Sequence, residues 1–198
     1  MEFNIRNLNM AGLEKKKYFF DANIWLKILK PPLSPSQKDL KYLQFFERFR
    51  NHKAKPRIVV TALLLSEVIN RYLRDVTFTI FCNKQGITKQ DSTYYKKAYR
   101  PSSKFTEDYI SLCEDIKAYQ QYYELESDGL GQEIRQKQIL NSPPSGLDFN
   151  DYYYYQLAMA RGYSIVTDDQ DFWVPGVEIL TLNQQLVDKA HSLVKPKL

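Results

Sequence analysis

Leu147 to Trp173 reads LDFNDYYYYQLAMARGYSIVTDDQDFW. It divides into a helical pattern, a glycine stop at Gly162, and a short apolar run, Ser164 to Thr167, that meets a cluster of acids. Carboxylates stand at both ends of this unit: Asp148 and Asp151 where the helix starts, and Asp168, Asp169 and Asp171 after the strand. A buried strand requires the helix to pack along it, so the acids have a route to convergence. Carboxylates held together repel one another, and a fold that gathers several usually does so around a divalent cation.

The totals limit what the rest of the chain can be. At 198 residues it is long enough for one well-cored domain, 1–198. Hydrophobic residues make up 43% and charged residues 26%, which excludes a disordered chain. No apolar run approaches membrane-spanning length. The opening MEFNIRNLNMAGLEKKKYFF lacks the long apolar core and small-residue cleavage site of a secretory signal. Two cysteines, Cys82 and Cys113, are too few for a disulfide framework or a structural zinc site, so a reducing cytoplasm is the expected location. The net charge of +5 shifts the balance only modestly towards a polyanionic partner.

Upstream, Tyr18-Phe19-Phe20 is too short for helical periodicity and reads as a buried strand, with Asp21 at its carboxyl end. Ligands bind beyond the carboxyl ends of strands in open parallel sheets; equally, Asp21 could cap the helix from Ile24 to Leu29 that ends at Pro31-Pro32. Ser34 or Ser36 caps the next helix, whose apolar face is Leu40, Leu43, Phe46 and Phe49. Arg57 to Thr61 is a second buried strand. The helix after it carries Leu64, Val68 and Tyr72 on one stripe, and Glu67, Arg71 and Arg74 on an adjacent face. An exposed i,i+4 pair with Arg71 is the plain alternative role for Glu67.

From Cys82 to Phe105 the periodicity fails, and the region from about 83 to 105 reads as an insertion. Within it Tyr94, Tyr95 and Tyr99 alternate with Lys96, Lys97, Arg100 and Lys104, an interleaving that suits single-stranded nucleic acid and equally suits tyrosines packed back on the domain. A helix is expected to start at Thr106, with Ile110, Cys113, Ile116, Tyr119 and Tyr123 on its apolar face, and another from Leu130 to Leu140. After the acid cluster come a strand from Val177 to Leu182, a short helix capped by Asn183, and a solvated tail at Lys195-Pro196-Lys197. Short apolar strands alternating with helices predict an α/β layered domain with a largely parallel central sheet flanked by helices.

Four blocks, FFDANIWL, VVTALLLSEV, DFNDYYYYQLAMARGYSIVTDDQDF and VEILTL, resemble the PIN-domain nucleases, the family that includes the VapC-type toxins. The resemblance implies a PIN-like three-layer fold and a divalent-metal site built from Asp21, Glu67, Asp151 and Asp169. The third block is its specific part. Asp151 is the awkward member, because its helix leads into a strand; a proline-rich loop is expected to carry it to the common edge. One departure is Ala22, where the family usually has Thr or Ser, so a hydroxyl that orients water or phosphate is missing.

The implied chemistry is hydrolysis of an RNA phosphodiester assisted by one or two Mg²⁺ or Mn²⁺ ions, which suit an all-oxygen site. Asn23 and Thr167 are expected to support the carboxylates, with Asp148 and Asp171 as further supporting candidates. Asp168 and Asp171 also fit turn or capping roles. Arg71, Arg74, Lys96, Lys97 and Arg100 are the candidate nucleic-acid contacts. RNA is the implied substrate, with a small antitoxin protein and a homodimer as the partners the family admits. Four consecutive tyrosines, Tyr152 to Tyr155, read as core and interface filling rather than base stacking. A phosphoryl-transfer domain of the haloacid-dehalogenase kind would need a second Asp two residues after the first, where this chain has Asn23, and neither it nor a receiver domain explains Glu67 and Asp151 together. A PIN-like module that binds RNA or protein without cutting is the other alternative, which Ala22 keeps open.

Overall fold

The computed structural model describes residues 2–30, 35–88, 91–144 and 146–194. Six strands form a single sheet in which every pairing is parallel. They are β1 (Asn4–Asn7), β2 (Lys17–Phe20), β3 (Arg57–Val60), β4 (Tyr123–Leu125), β5 (Ser164–Val166) and β6 (Glu178–Thr181), in the order β1-β6-β5-β2-β3-β4. The flanking helices include α1 (Ala22–Leu29), α2 (Gln37–Arg50), α3 (Ala62–Arg71), α4 (Phe78–Lys84), α5 (Ser92–Tyr94), α6 (Ser103–Ala118), α7 (Gln136–Ile139), α8 (Phe149–Arg161) and α9 (Gln184–Val194). None of the helices among the described residues is long and apolar enough to cross a membrane.

Strand alternation assigns the two faces of the sheet. Tyr18 and Phe20 point to one side, where they meet Phe49 at ring separations of 5.3 and 5.2 Å; Phe45 and Phe46 of α2 also pack on Phe20. Phe19 points to the other side and packs on Tyr154 of α8 at 4.5 Å. With both faces covered, β2, β3 and β5 must be apolar throughout, and they are nearly so: Tyr18, Phe19, Phe20, Ile58, Val59, Val60, Ile165 and Val166 are all buried.

Helix boundaries follow local chemistry. Ser36 caps α2 in a reciprocal box with Asp39. Asp148 caps α8, and Gly162 ends it with φ +68°, a left-handed conformation that costs glycine little. The expectations placed on Pro31, Pro32, Ser34 and Lys195-Pro196-Lys197 fall outside the described residues.

Several expected boundaries need correction. The helix expected from Thr106 begins at Ser103 with Ser102 as its cap, and it stops at Ala118. Tyr123, expected on that helix, opens β4 instead. Its buried residues are Leu112 and Ile116, whereas Ile110 is 57% exposed. The helix expected over Leu130 to Leu140 contracts to Gln136–Ile139, because Leu130 and Ile134 bridge around a turn at Gly129 and Gly131. The region that looked irregular contains α5, which continues as a π-helical turn over Tyr95–Tyr99. A second π-helical turn, Tyr72–Thr77, joins α3 to α4. Tyr99 is fully buried against Phe78, Phe81 and Phe105, and its hydroxyl is tied to Thr77 and Asp108. Those tyrosines therefore serve a small apolar cluster rather than a base-stacking surface.

Candidate active site

The carboxyl ends of the strands define one edge of the sheet. Asp21 follows β2, Asp168 and Asp169 follow β5, and α3, carrying Glu67, leaves β3. Asp151 needs no long crossing. In a parallel βαβ unit the helix runs antiparallel to the strands, so α8, lying between β4 and β5, begins at this same edge.

Asp21 is 4% exposed. It occupies the cap position of α1 yet makes no side-chain capping bond. Its Oδ2 instead accepts from Thr167 Oγ1 at 2.6 Å and from the Asn23 side-chain amide. Burial, with Glu67 and Asp169 adding repulsion against the Thr167 bond, pushes its carboxyl up to about 6. Asp151 is pushed up to about 8 by burial and by repulsion from Asp21, Asp148, Asp169 and Glu67. The four acids therefore share one electrostatic field.

Glu67 is gripped from α8. Its Oε2 accepts from Tyr154 Oη at 2.8 Å and from Asn150 Nδ2 at 3.1 Å, and its Oε1 lies 3.5 Å from Arg71 Nη1. The expected i,i+4 pair with Arg71 is present, within a longer network. Tyr154 is held far above its ordinary pKa by burial and by the Glu67 charge, so it remains a donor. Asn150 and Tyr154 stand four residues apart and therefore share a helix face; that spacing shows that they act together, but not that Glu67 is their partner.

The turn after β5 is equally constrained. Asp169 N–H donates to Thr167 Oγ1 at 2.9 Å, Asp171 N–H donates to Asp169 Oδ1 at 2.8 Å, and Asp168 N–H donates to Asn23 Oδ1 at 3.2 Å. Asp171 itself is exposed. Asp148 accepts from Asp151 N–H at 3.0 Å. Asp168 forms ion pairs with Lys38 and, at 3.5 Å, with Lys27, while Tyr42 Oη lies 3.0 Å from its Oδ1. Nothing in the sequence marked Tyr42, Lys27 or Lys38, because they reach this turn from other elements.

Among the expected cations, Arg71 joins the Glu67 network and Arg74 pairs with Asp75 at 3.0 Å. Lys96, Lys97 and Arg100 are exposed on the π-helical turn and its end, outside the acid cluster. Arg74 and Lys96 line one cavity of about 480 Å³.

No group of three or more His, Cys, Asp or Glu side chains among the described residues is drawn into a ready metal cage. The donors are nonetheless of the right chemistry for a hard divalent ion: carboxylate oxygens, two of them held above their ordinary pKa by burial and by repulsion from neighbouring acids.

A family model for the PIN domain matches residues 18–176. The chain belongs to the PIN domain family. Its fold is similar to PAE2754 from Pyrobaculum aerophilum, at 17% identity over 94% of this chain and 97% of that one, with a TM-score of 0.44. It is also similar to VapBC2 from Rickettsia felis, solved bound to a DNA fragment from their promoter, at 14% identity over 83% and 98%, with a TM-score of 0.42. No curated protein matches the chain.

Proposed function

We propose that this chain is a divalent-metal-dependent endoribonuclease, hydrolysing RNA phosphodiester bonds at the acid cluster, and the toxin of a pair with a small antitoxin protein. Chain residues 1–198 act as one PIN-like unit, and the segment from 83 to about 140 elaborates it. The observation that carries the catalytic reading is the convergence of Asp21 and Asp151 from distant parts of the chain, both raised by burial and by the charges of neighbouring acids. A protein gains no stability from such repulsion, so the arrangement makes sense as a site that a cation completes.

Asp21, Asp151 and Asp169 would hold Mg²⁺ or Mn²⁺ directly or through water, with Glu67 at the margin. Bound there, the ion supplies charge neutralisation at the scissile phosphate and a lowered pKa for the attacking water. The chain's own residues do the positioning. Thr167 Oγ1 and the Asn23 amide fix Asp21 Oδ2. Thr167 also takes the Asp169 N–H, so one hydroxyl sets the spacing between two of the acids. Tyr154 and Asn150 hold Glu67 by one oxygen, which orients the other towards Arg71. Arg71 would then approach a phosphate once that pairing loosens. Ala22 contributes no hydroxyl; the one nearest Asp21 comes from Thr167 instead.

Purified protein should cut single-stranded RNA with Mn²⁺ or Mg²⁺, and EDTA should stop it. Folded Asp21→Asn and Asp151→Asn variants should lose at least about 100-fold in rate. If both variants cut as fast as wild type, the site assignment is wrong. If wild type binds RNA and cuts it with no metal tried, the non-cleaving module replaces the nuclease.

A further inference from the structure

We propose that the recess beside Asp169, walled by Asn23, Lys38, Gln170 and Asn183, seats one nucleotide of a single-stranded RNA, with Lys38 on its phosphate and the Gln170 and Asn183 amides on its base edge. The recess holds about 420 Å³, within the range of small-ligand sites. This inference rests on the nuclease reading for its substrate, and on its own geometry for its place.

That place is one step along the sheet edge from the acids. β5 lies beside β2 and β6 lies beside β5, so Asn23, Gln170 and Asn183 succeed one another after three neighbouring strands. Parallel strands stand about 4.8 Å apart, so two strand steps cover roughly 10 Å of edge. A chain crossing the acids therefore continues into the recess.

Two carboxylates, Asp168 and Asp169, also line the recess. Asp168, the charge that would otherwise repel a phosphate, is paired with Lys38 and, at 3.5 Å, with Lys27. Tyr42 fixes that carboxylate: its Oη lies 3.0 Å from Asp168 Oδ1 and from the Thr167 carbonyl, and it accepts from Leu182 N–H at 3.0 Å. Lys38 remains 43% exposed on its side chain, anchored at the start of α2 where the helix presents its positive end. It can contact a phosphate while Asp168 keeps its partners Lys27 and Tyr42.

The amides supply selectivity rather than charge. Asn183 uses its Oδ1 to accept from Gln185 N–H at 3.1 Å and Leu186 N–H at 3.4 Å, capping α9, which leaves its NH₂ as donor. Gln170 is exposed and its side chain has no hydrogen-bond partner among the described residues. A donor at Asn183 and an amide that both donates and accepts at Gln170 are suited to the edges of unpaired bases.

The test is fluorescence anisotropy of short labelled homopolymers of A, C, G and U, without divalent metal, over a range of salt. Lys38→Ala should weaken all four about equally, roughly tenfold, and reduce the salt dependence by about one counterion. Gln170→Ala and Asn183→Ser should change the preference among the four bases by about fivefold or more; serine keeps the acceptor that α9 needs. Wild-type affinity and preference in all three variants, or no RNA binding by wild type at any salt, would overturn the recess. Metal-dependent cutting that needs Asp21, together with three unaltered variants, sinks the recess and leaves the nuclease reading. The expected binding changes without cutting by any metal retain the recess and remove the nuclease.

Discussion

Asp21 shows what the site costs a single residue. Its carboxyl is buried, receives two side-chain donors, and still titrates near 6 because burial and the Glu67 and Asp169 charges outweigh them. Asparagine there removes the repulsion, so Asp21→Asn should abolish cleavage while melting at or above the wild-type temperature in EDTA at pH 8. A fall of more than a few degrees in that melt would contradict the account. The same reasoning fixes a pH dependence. Asp21 and Asp151 titrate near 6 and 8 when folded, against an ordinary 3.8. Between those values the folded chain holds more protons than the unfolded one, so these groups stabilise fully below about 4 and lose that contribution as pH rises to about 8. Melting of the cation-free protein should therefore show stability falling from pH 5 to pH 8; a rise across that range would refute the shared field. From sequence, the four acids could be picked out by their places after strands and at helix starts. The grip of Tyr154 and Asn150 on Glu67, or of Tyr42 on Asp168, could not, because each joins residues 83 to 126 positions apart.

At the scale of elements, the site depends on how α8 begins and ends. Asp148 satisfies the first-turn N–H of Asp151 itself, so Asp148→Ala should cost about 1 kcal/mol and also reduce cleavage, by freeing the turn that carries Asp151. Denaturant unfolding and an RNA-cleavage assay on one preparation check both effects; loss of stability with full activity would separate the cap from the site. At the other end, Gly162→Ala meets no neighbour but must adopt φ +68°, which should cost about 1 kcal/mol through backbone strain alone and leave activity untouched. The central strands β2, β3, β5 and β6 were legible because burial on both faces makes them continuous apolar runs. The outer strands were not: β1 is NIRN and β4 is YEL, short edge segments that need only one partner and carry polar side chains. Missing β4 is also what made Asp151 look misplaced, since α8 then had no strand to return from. The helix expected over 130–140 failed for a different reason, as Gly129 and Gly131 turn the chain where apolar spacing alone suggested continuity.

For the whole molecule, the sheet concentrates acid at one edge of a chain whose net charge is +5. Removing the four acids from that count leaves the remainder more basic still, and an RNA approaching the edge would meet Arg71 on one side of Asp21 and Lys38 on the other. We propose that Asp21, Asp151 and Asp169, brought from three separate elements, bind one kind of cation together. Titration of Mn²⁺ into the apo-protein at pH 7.5, followed by calorimetry, measures this directly in wild type, Asp21→Asn and Asp169→Ala. Wild type should bind saturably, with affinity reduced at least about tenfold in each variant. Equal Mn²⁺ affinity in all three proteins, or none in wild type, would contradict that proposal.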